Sequence, residues 1–199
     1  KYNEGSFEIA EKIYKDILIN FPKNKRANYG LKQVQLAKTK HIKGRTEAPT
    51  EILNKLIFLY RQGDFDKMLR KINKLCPKYE KSSLLKNIQG AAQAALGDTE
   101  AAIKSFNLAI ELEPSFADPH NNLGNIYKGK NIFSEAIYNY KLAIEKNEMF
   151  ADAYFNLGNT YLTRNKYDLA IDNYQRAMKI DPQNAPLNYN LGNAYKAKG

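Results

Sequence analysis

Six asparagines stand at fixed intervals in this 199-residue chain: Asn122 and Asn125, Asn156 and Asn159, Asn190 and Asn193. They belong to three copies of one string, NNLGN, FNLGN and YNLGN, each beginning 34 residues after the last. A carboxamide both donates and accepts, so it can pair with the N–H and the C=O of a peptide backbone. A ladder of such groups along a groove holds an extended peptide largely irrespective of its side chains. The same amides are equally suited to hydrogen bonding within the protein's own framework. Both readings stay open from the residues alone.

Groups suited to covalent, acid–base or metal chemistry are sparse. The two histidines, His41 and His120, fall in an expected loop and at an expected helix start, and Cys76 is the one cysteine. No His/Cys spacing resembles a zinc site. A single cysteine forms no internal disulfide, reads as a buried structural residue, and fits a reducing, cytoplasmic setting. The glycines recur with the repeat, and packing accounts for them without a phosphate-binding loop. Carboxylates such as Glu111, Glu113, Asp118 and Asp152 recur at repeat-related surface positions and do not converge; Asp118 before Pro119 reads as helix-start chemistry. The expectation is a chain with no catalytic residues, no metal and no cofactor.

The elements that position the asparagines follow from the period. Leu123, Gly124 and Tyr127 recur as Leu157, Gly158 and Tyr161, then as Leu191, Gly192 and Tyr195. Ala136, Tyr140 and Ala143 recur as Ala170, Tyr174 and Ala177. One period earlier stand Gly90, Ala102, Phe106, Ala109 and Pro114, with Gln89 and Gln93 in place of Leu and Tyr. Tyr154, Leu157, Gly158 and Tyr161 fall at i, i+3, i+4 and i+7, one helical stripe, and the alanine–aromatic–alanine set marks a second helix. "RNK" and "GKN" read as tight turns between them, while Pro114 and Pro182 end the second helices. A glycine inside a helix costs about 1 kcal/mol against alanine, so its recurrence predicts close approach of a neighbouring helix. Each pair exposes an apolar face that the next pair covers, the logic of a solenoid.

A 34-residue unit with Leu-Gly, Tyr, Ala, aromatic, Ala and Pro resembles the tetratricopeptide repeat (TPR). The resemblance implies an all-α, right-handed superhelical solenoid of antiparallel pairs, about eleven helices in all. It divides the chain into degenerate N-terminal helices with a basic loop (1–48), a degenerate unit (49–82), three units (83–116, 117–150, 151–184) and a first helix (185–199). In 1–48, Phe7, Ala10, Tyr14, Ile17 and Pro22 resemble a second helix, and residues 41–49 read as loop. Met68, Ile72 and Leu75 replace the small–large–small pattern in 49–82. Beginning and ending inside repeats, the sequence reads as a fragment of a longer array.

In such a solenoid the first helices line the concave face. The resemblance therefore implies a protein-interaction scaffold that holds an extended peptide there. The array is similar to those of O-linked N-acetylglucosamine transferase-like and other bacterial TPR proteins, and in that transferase an asparagine ladder holds peptide; "FADAYFN" and "FADPHNN" carry this likeness. Asn121, Phe155 and Tyr189 join the six ladder residues as the candidate contact set, the aromatics as apolar anchors. The TPR clamp for a peptide C-terminus needs Lys or Arg at Asn121, Asn122, Phe155, Asn156, Tyr189 and Asn190, so that specificity is not expected. An alternative is a substrate-presenting domain of a larger glycosyltransferase, sulfotransferase or oxygenase.

Charge is uneven. The net formal charge of +10 sits in residues 1–82, with 19 basic and 9 acidic side chains, whereas 83–199 carry 12 of each. Lys23, Lys25, Arg26, Lys32, Lys38, Lys40, Lys43 and Arg45 form a run without an acid. It reads first as a solvated face; contact with an acidic polymer is the lesser alternative, and no nucleic-acid motif accompanies it. No stretch approaches the ~20 apolar residues of a membrane span. A C-terminal end carrying Leu191 and Tyr195 without a polar cap points to self-association.

Overall fold

The computed structural model describes residues 48–182 and 185–199, together with Lys12 and Lys15. The expected N-terminal helices and most of the loop at 41–49 lie outside these residues. Nine helices follow among the described residues: α1 (Thr50–Arg61), α2 (Phe65–Leu75), α3 (Ser83–Ala95), α4 (Thr99–Leu112), α5 (Ala117–Gly129), α6 (Phe133–Lys146), α7 (Ala151–Thr163), α8 (Tyr167–Ile180) and α9 (Ala185–Lys198).

One turn joins every pair. Gly63, Gly97, Asn131 and Asn165, spaced at 34 residues, all have positive φ, between 55° and 83°. A Cβ is strained in this left-handed region, and glycine and asparagine tolerate it best. The next N–H then reaches back five residues, from Asp64 to Leu59, Asp98 to Gln93, Ile132 to Tyr127 and Lys166 to Tyr161, satisfying a carbonyl the helix leaves open. In the first two turns that next residue is also an N-cap: the carboxylates of Asp64 and Asp98 accept from the backbone N–H groups of Lys67 and Ala101. The second helices stop before proline as expected, α4 at Leu112 ahead of Pro114 and α8 at Ile180 ahead of Pro182. Helix α5 starts at Ala117 with Phe116 as its cap residue, so Asp118 is not the N-cap but sits inside the first turn, where its carboxylate accepts a backbone hydrogen bond.

The core runs from pair to pair. Leu56, Leu59, Met68, Ile72, Leu85 and Ala92 close one cluster across α1, α2 and α3, while Ala136, Tyr140, Leu157, Tyr174 and Leu187 belong to another reaching α9. Met68 and Ile72 are fully buried, so the unit at 49–82 packs through long side chains where its neighbours use alanine and an aromatic. Successive first helices also touch one another, α3 with α5, α5 with α7 and α7 with α9, more than successive second helices do. The stack therefore curves with its first helices on the concave side.

Candidate functional site

In the first two strings the repeated glycine and the second asparagine serve one neighbour. A Cβ on Gly124 would lie 2.5 Å from the Tyr140 ring, and on Gly158 2.6 Å from the Tyr174 ring. The aromatic of the second helix, not its alanines, occupies the space the glycine leaves. Each ring then projects its hydroxyl onto the next residue: Tyr140 donates to Asn125 Oδ1 at 2.8 Å and Tyr174 to Asn159 Oδ1 at 2.7 Å. Burial pushes the Tyr174 phenol up to about 12, which keeps it a donor. The earlier unit shows the converse. Gly90 meets Phe106, which has no hydroxyl, and Ala91 stands where the other units place asparagine.

The first asparagine of each string reaches the preceding unit. Asn122 Nδ2 donates to Asn87 Oδ1 at 3.0 Å, and Asn156 Nδ2 donates to Asn121 Oδ1 at 3.0 Å. By repetition Asn190 would reach residue 155, but that is Phe155, packed on Tyr174 with ring centroids 6.0 Å apart. Asn190 instead donates to Asn159 Oδ1 at 2.8 Å. Both lone pairs of that oxygen are then taken, one by a phenol and one by an amide. The amides thus form three separate pairs, each bridging two successive units, with Asn87 and Asn121 buried and Asn122, Asn156, Asn159 and Asn190 half-buried.

This row of pairs borders open space. Asn122 and Asn125 line a cavity of about 480 Å³ whose other wall is Tyr60, Ala91, Ala94 and Ala95. Sequence reasoning missed these four residues. Their signal was available, since Ile57, Ala91, Asn125, Asn159 and Asn193 share one repeat position, and Tyr60, Ala94, Lys128, Leu162 and Lys196 another.

A family model for the TPR repeat matches residues 90–131, 125–164 and 158–199, together more than half of the chain. The chain belongs to the TPR repeat family. Its structure is similar to the crystal structure of MamA protein, 26% identical, with a TM-score of 0.61 over 75% of this chain and 82% of MamA. MamA 41-end from Desulfovibrio magneticus RS-1 shares 21% identity at a TM-score of 0.61, covering 75% of this chain and 84% of that one. The first TPR of Spaghetti (RPAP3), bound to the HSP90 peptide SRMEEVD, shares the fold at 21% identity and a TM-score of 0.56, covering 58% and 92%. Comparison with curated protein sequences gave no match. The fold is thus an all-α TPR superhelix, of the kind that serves as a protein-interaction scaffold.

The remaining expected site residues of the TPR groove divide. Asn125 and Asn193 are exposed, Phe155 is half-buried, and Tyr189 is 72% exposed. The eight residues of the basic run lie outside the described residues. Cys76 is half-buried at the end of α2, its Sγ 3.8 Å from Gln89 Oε1 and 3.6 Å from Lys86 Nζ. His120 is buried in α5, and its Nδ1 has no partner among the described residues. Burial holds its pKa low, against a hydrogen bond to Asn139. Burial raises Asp118, with Asp152 and Glu113 adding repulsion, and lowers Lys128. Among the described residues no three His, Cys, Asp or Glu side chains cluster to hold a metal, and no helix is long and apolar enough to cross a membrane.

Proposed function

We propose that the concave face formed by α3, α5, α7 and α9 holds an extended polypeptide segment through its carboxamides. The observation that carries this reading is the row of inter-unit amide pairs, Asn122 with Asn87, Asn156 with Asn121 and Asn190 with Asn159. Each bond from Asn122, Asn156 or Asn190 uses one of two N–H groups and leaves the acceptor oxygen of the donor amide available. Framework bonding and recognition therefore combine. Bonds between units fix the orientation of each amide in advance, which lowers the entropy cost of gripping a peptide backbone.

Fluorescence anisotropy against an unbiased library of disordered peptides tests this. Asn122→Ala, Asn156→Ala and Asn190→Ala together should abolish binding, but they also remove three inter-unit bonds worth about 1 kcal/mol each. Asn193→Ala separates the two effects, because that exposed amide joins no inter-unit bond among the described residues. Weaker peptide binding by folded Asn193→Ala at unchanged stability supports recognition. Unchanged binding by both variants assigns the amides to the framework alone.

We also infer that copies of this chain associate through α9. Among the described residues nothing lies within 4 Å of a Cβ placed on Gly192, whereas Gly124 and Gly158 are each covered by a tyrosine. Tyr195, on the same stripe, is 48% exposed where its counterpart Tyr161 is buried.

A further inference from the structure

The groove is not uniform along its length. At the repeat position of Asn125, Asn159 and Asn193 the two earlier units carry Ala91 and Ile57; at that of Lys128 they carry Ala94 and Tyr60. Small side chains lower the floor of α3, and the Phe106 ring, with no hydroxyl to tether, forms its base. The result is the cavity of about 480 Å³ already described, within the ~300–1,000 Å³ of ordinary ligand sites. A second hollow of about 180 Å³, lined by Ile57, Met68 and Ile88, shares Tyr60 and Ala91 with it. Tyr60, 46% exposed, stands between the two as a wall that a bound side chain would cover.

Charge adds a second feature. Lys130 lines the cavity, and Lys128 stands two residues before it in α5 without lining the cavity. None of the ion pairs among the described residues neutralises either lysine. Lys130 therefore offers an incoming carboxylate a cation with no competing ion pair among the described residues, whereas burial disfavours the charge on Lys128.

We infer that the groove is bipartite: beside the amide row, the basin around Tyr60, Ala91 and Ala94 takes one bulky apolar side chain of the bound segment, with a neighbouring carboxylate held by Lys130. This rests on the peptide-binding reading and adds its specificity. The amides grip backbone of any sequence, whereas the basin selects a segment with an aromatic or branched aliphatic residue beside an acid.

The test uses fluorescein-labelled synthetic peptides of a Gly/Ser/Ala background carrying Leu-Glu or Trp-Glu, with Ala-Glu and Leu-Lys as controls. The native chain should bind Leu-Glu and Trp-Glu at least about tenfold more tightly than either control, equivalent to about 1.4 kcal/mol. Ala91→Asn introduces the residue that later units carry and should fold; it should erase the Leu-over-Ala preference yet keep the affinity for Ala-Glu. Lys130→Gln should erase the Glu-over-Lys preference alone. Equal affinities in the native chain overturn the basin, as does a preference that survives Ala91→Asn. If no peptide binds, the peptide reading itself fails, and titration with anilinonaphthalene sulfonate, an apolar anion, then decides on the basin. Fluorescence enhancement that Ala91→Asn removes upholds the basin; no enhancement, or enhancement unaffected by Ala91→Asn, overturns it.

Discussion

One glycine position gives a prediction of opposite sign in two places. In Gly158→Ala the new Cβ would lie 2.6 and 2.7 Å from two ring atoms of Tyr174, closer than the 3.0 Å below which something must shift. The ring has little freedom to give way. Tyr174 is fully buried, its hydroxyl is tied to Asn159 at 2.7 Å, and Phe155 packs beside it. Overpacking of this kind costs about 1–3 kcal/mol, against about 1 kcal/mol regained from helix propensity. A net loss of about 1 kcal/mol is expected. At Gly192 nothing among the described residues lies within 4 Å, so Gly192→Ala keeps only the propensity gain and stabilises α9 by up to about 1 kcal/mol. Urea unfolding followed by far-ultraviolet circular dichroism measures the first, and amide hydrogen exchange resolves the second, since repeat arrays unfold in parts. Adding Tyr174→Leu to Gly158→Ala should show a favourable coupling energy. Gly158→Ala as stable as the parent, or Gly192→Ala destabilising by a similar amount, refutes the assignment of glycine to ring contact.

Other expectations follow from the same geometry. Phe106→Tyr brings a hydroxyl toward Ala91 without an acceptor; combined with Ala91→Asn it should be more stable than the two single changes predict, by about 1 kcal/mol in a double-mutant cycle. His120 is held neutral by burial, with a folded pKa below the 6.5 of the free side chain. The unfolded chain therefore binds more protons below pH 6.5, so stability present above that pH is lost as pH falls toward the folded pKa. His120→Phe should flatten that dependence in a pH series of urea midpoints. Sedimentation at rising concentration should show association that Tyr195→Lys removes; a monomer throughout would end the proposal of α9 contact. In Tyr174→Phe the Asn159 oxygen keeps its bond from Asn190, so the expected loss is only about 1 kcal/mol, read from the same unfolding curves.

What the sequence by itself determined was everything carried by the period. The 34-residue spacing of Leu, Gly, aromatic and Ala gave the helix pairs, because a helix fixes which residues share a stripe and a stripe that no single pair can bury demands a neighbour. Pro114 and Pro182 marked helix ends because proline cannot continue one. The glycine or asparagine at each pair turn was equally local, since Gly63, Gly97, Asn131 and Asn165 stand where a left-handed residue is required. Partner choice was not local. That Gly158 faces the Tyr174 ring, that Asn156 meets Asn121, and that Asn190 turns to Asn159 because Phe155 fills the usual place were all decided by helix docking. The basin over Ala91 is likewise tertiary: small residues on α3 become a cavity only when Tyr60 and Asn122 are brought to its rim from the units on either side. Periodicity specifies which face each residue takes; only packing in three dimensions specifies what that face meets.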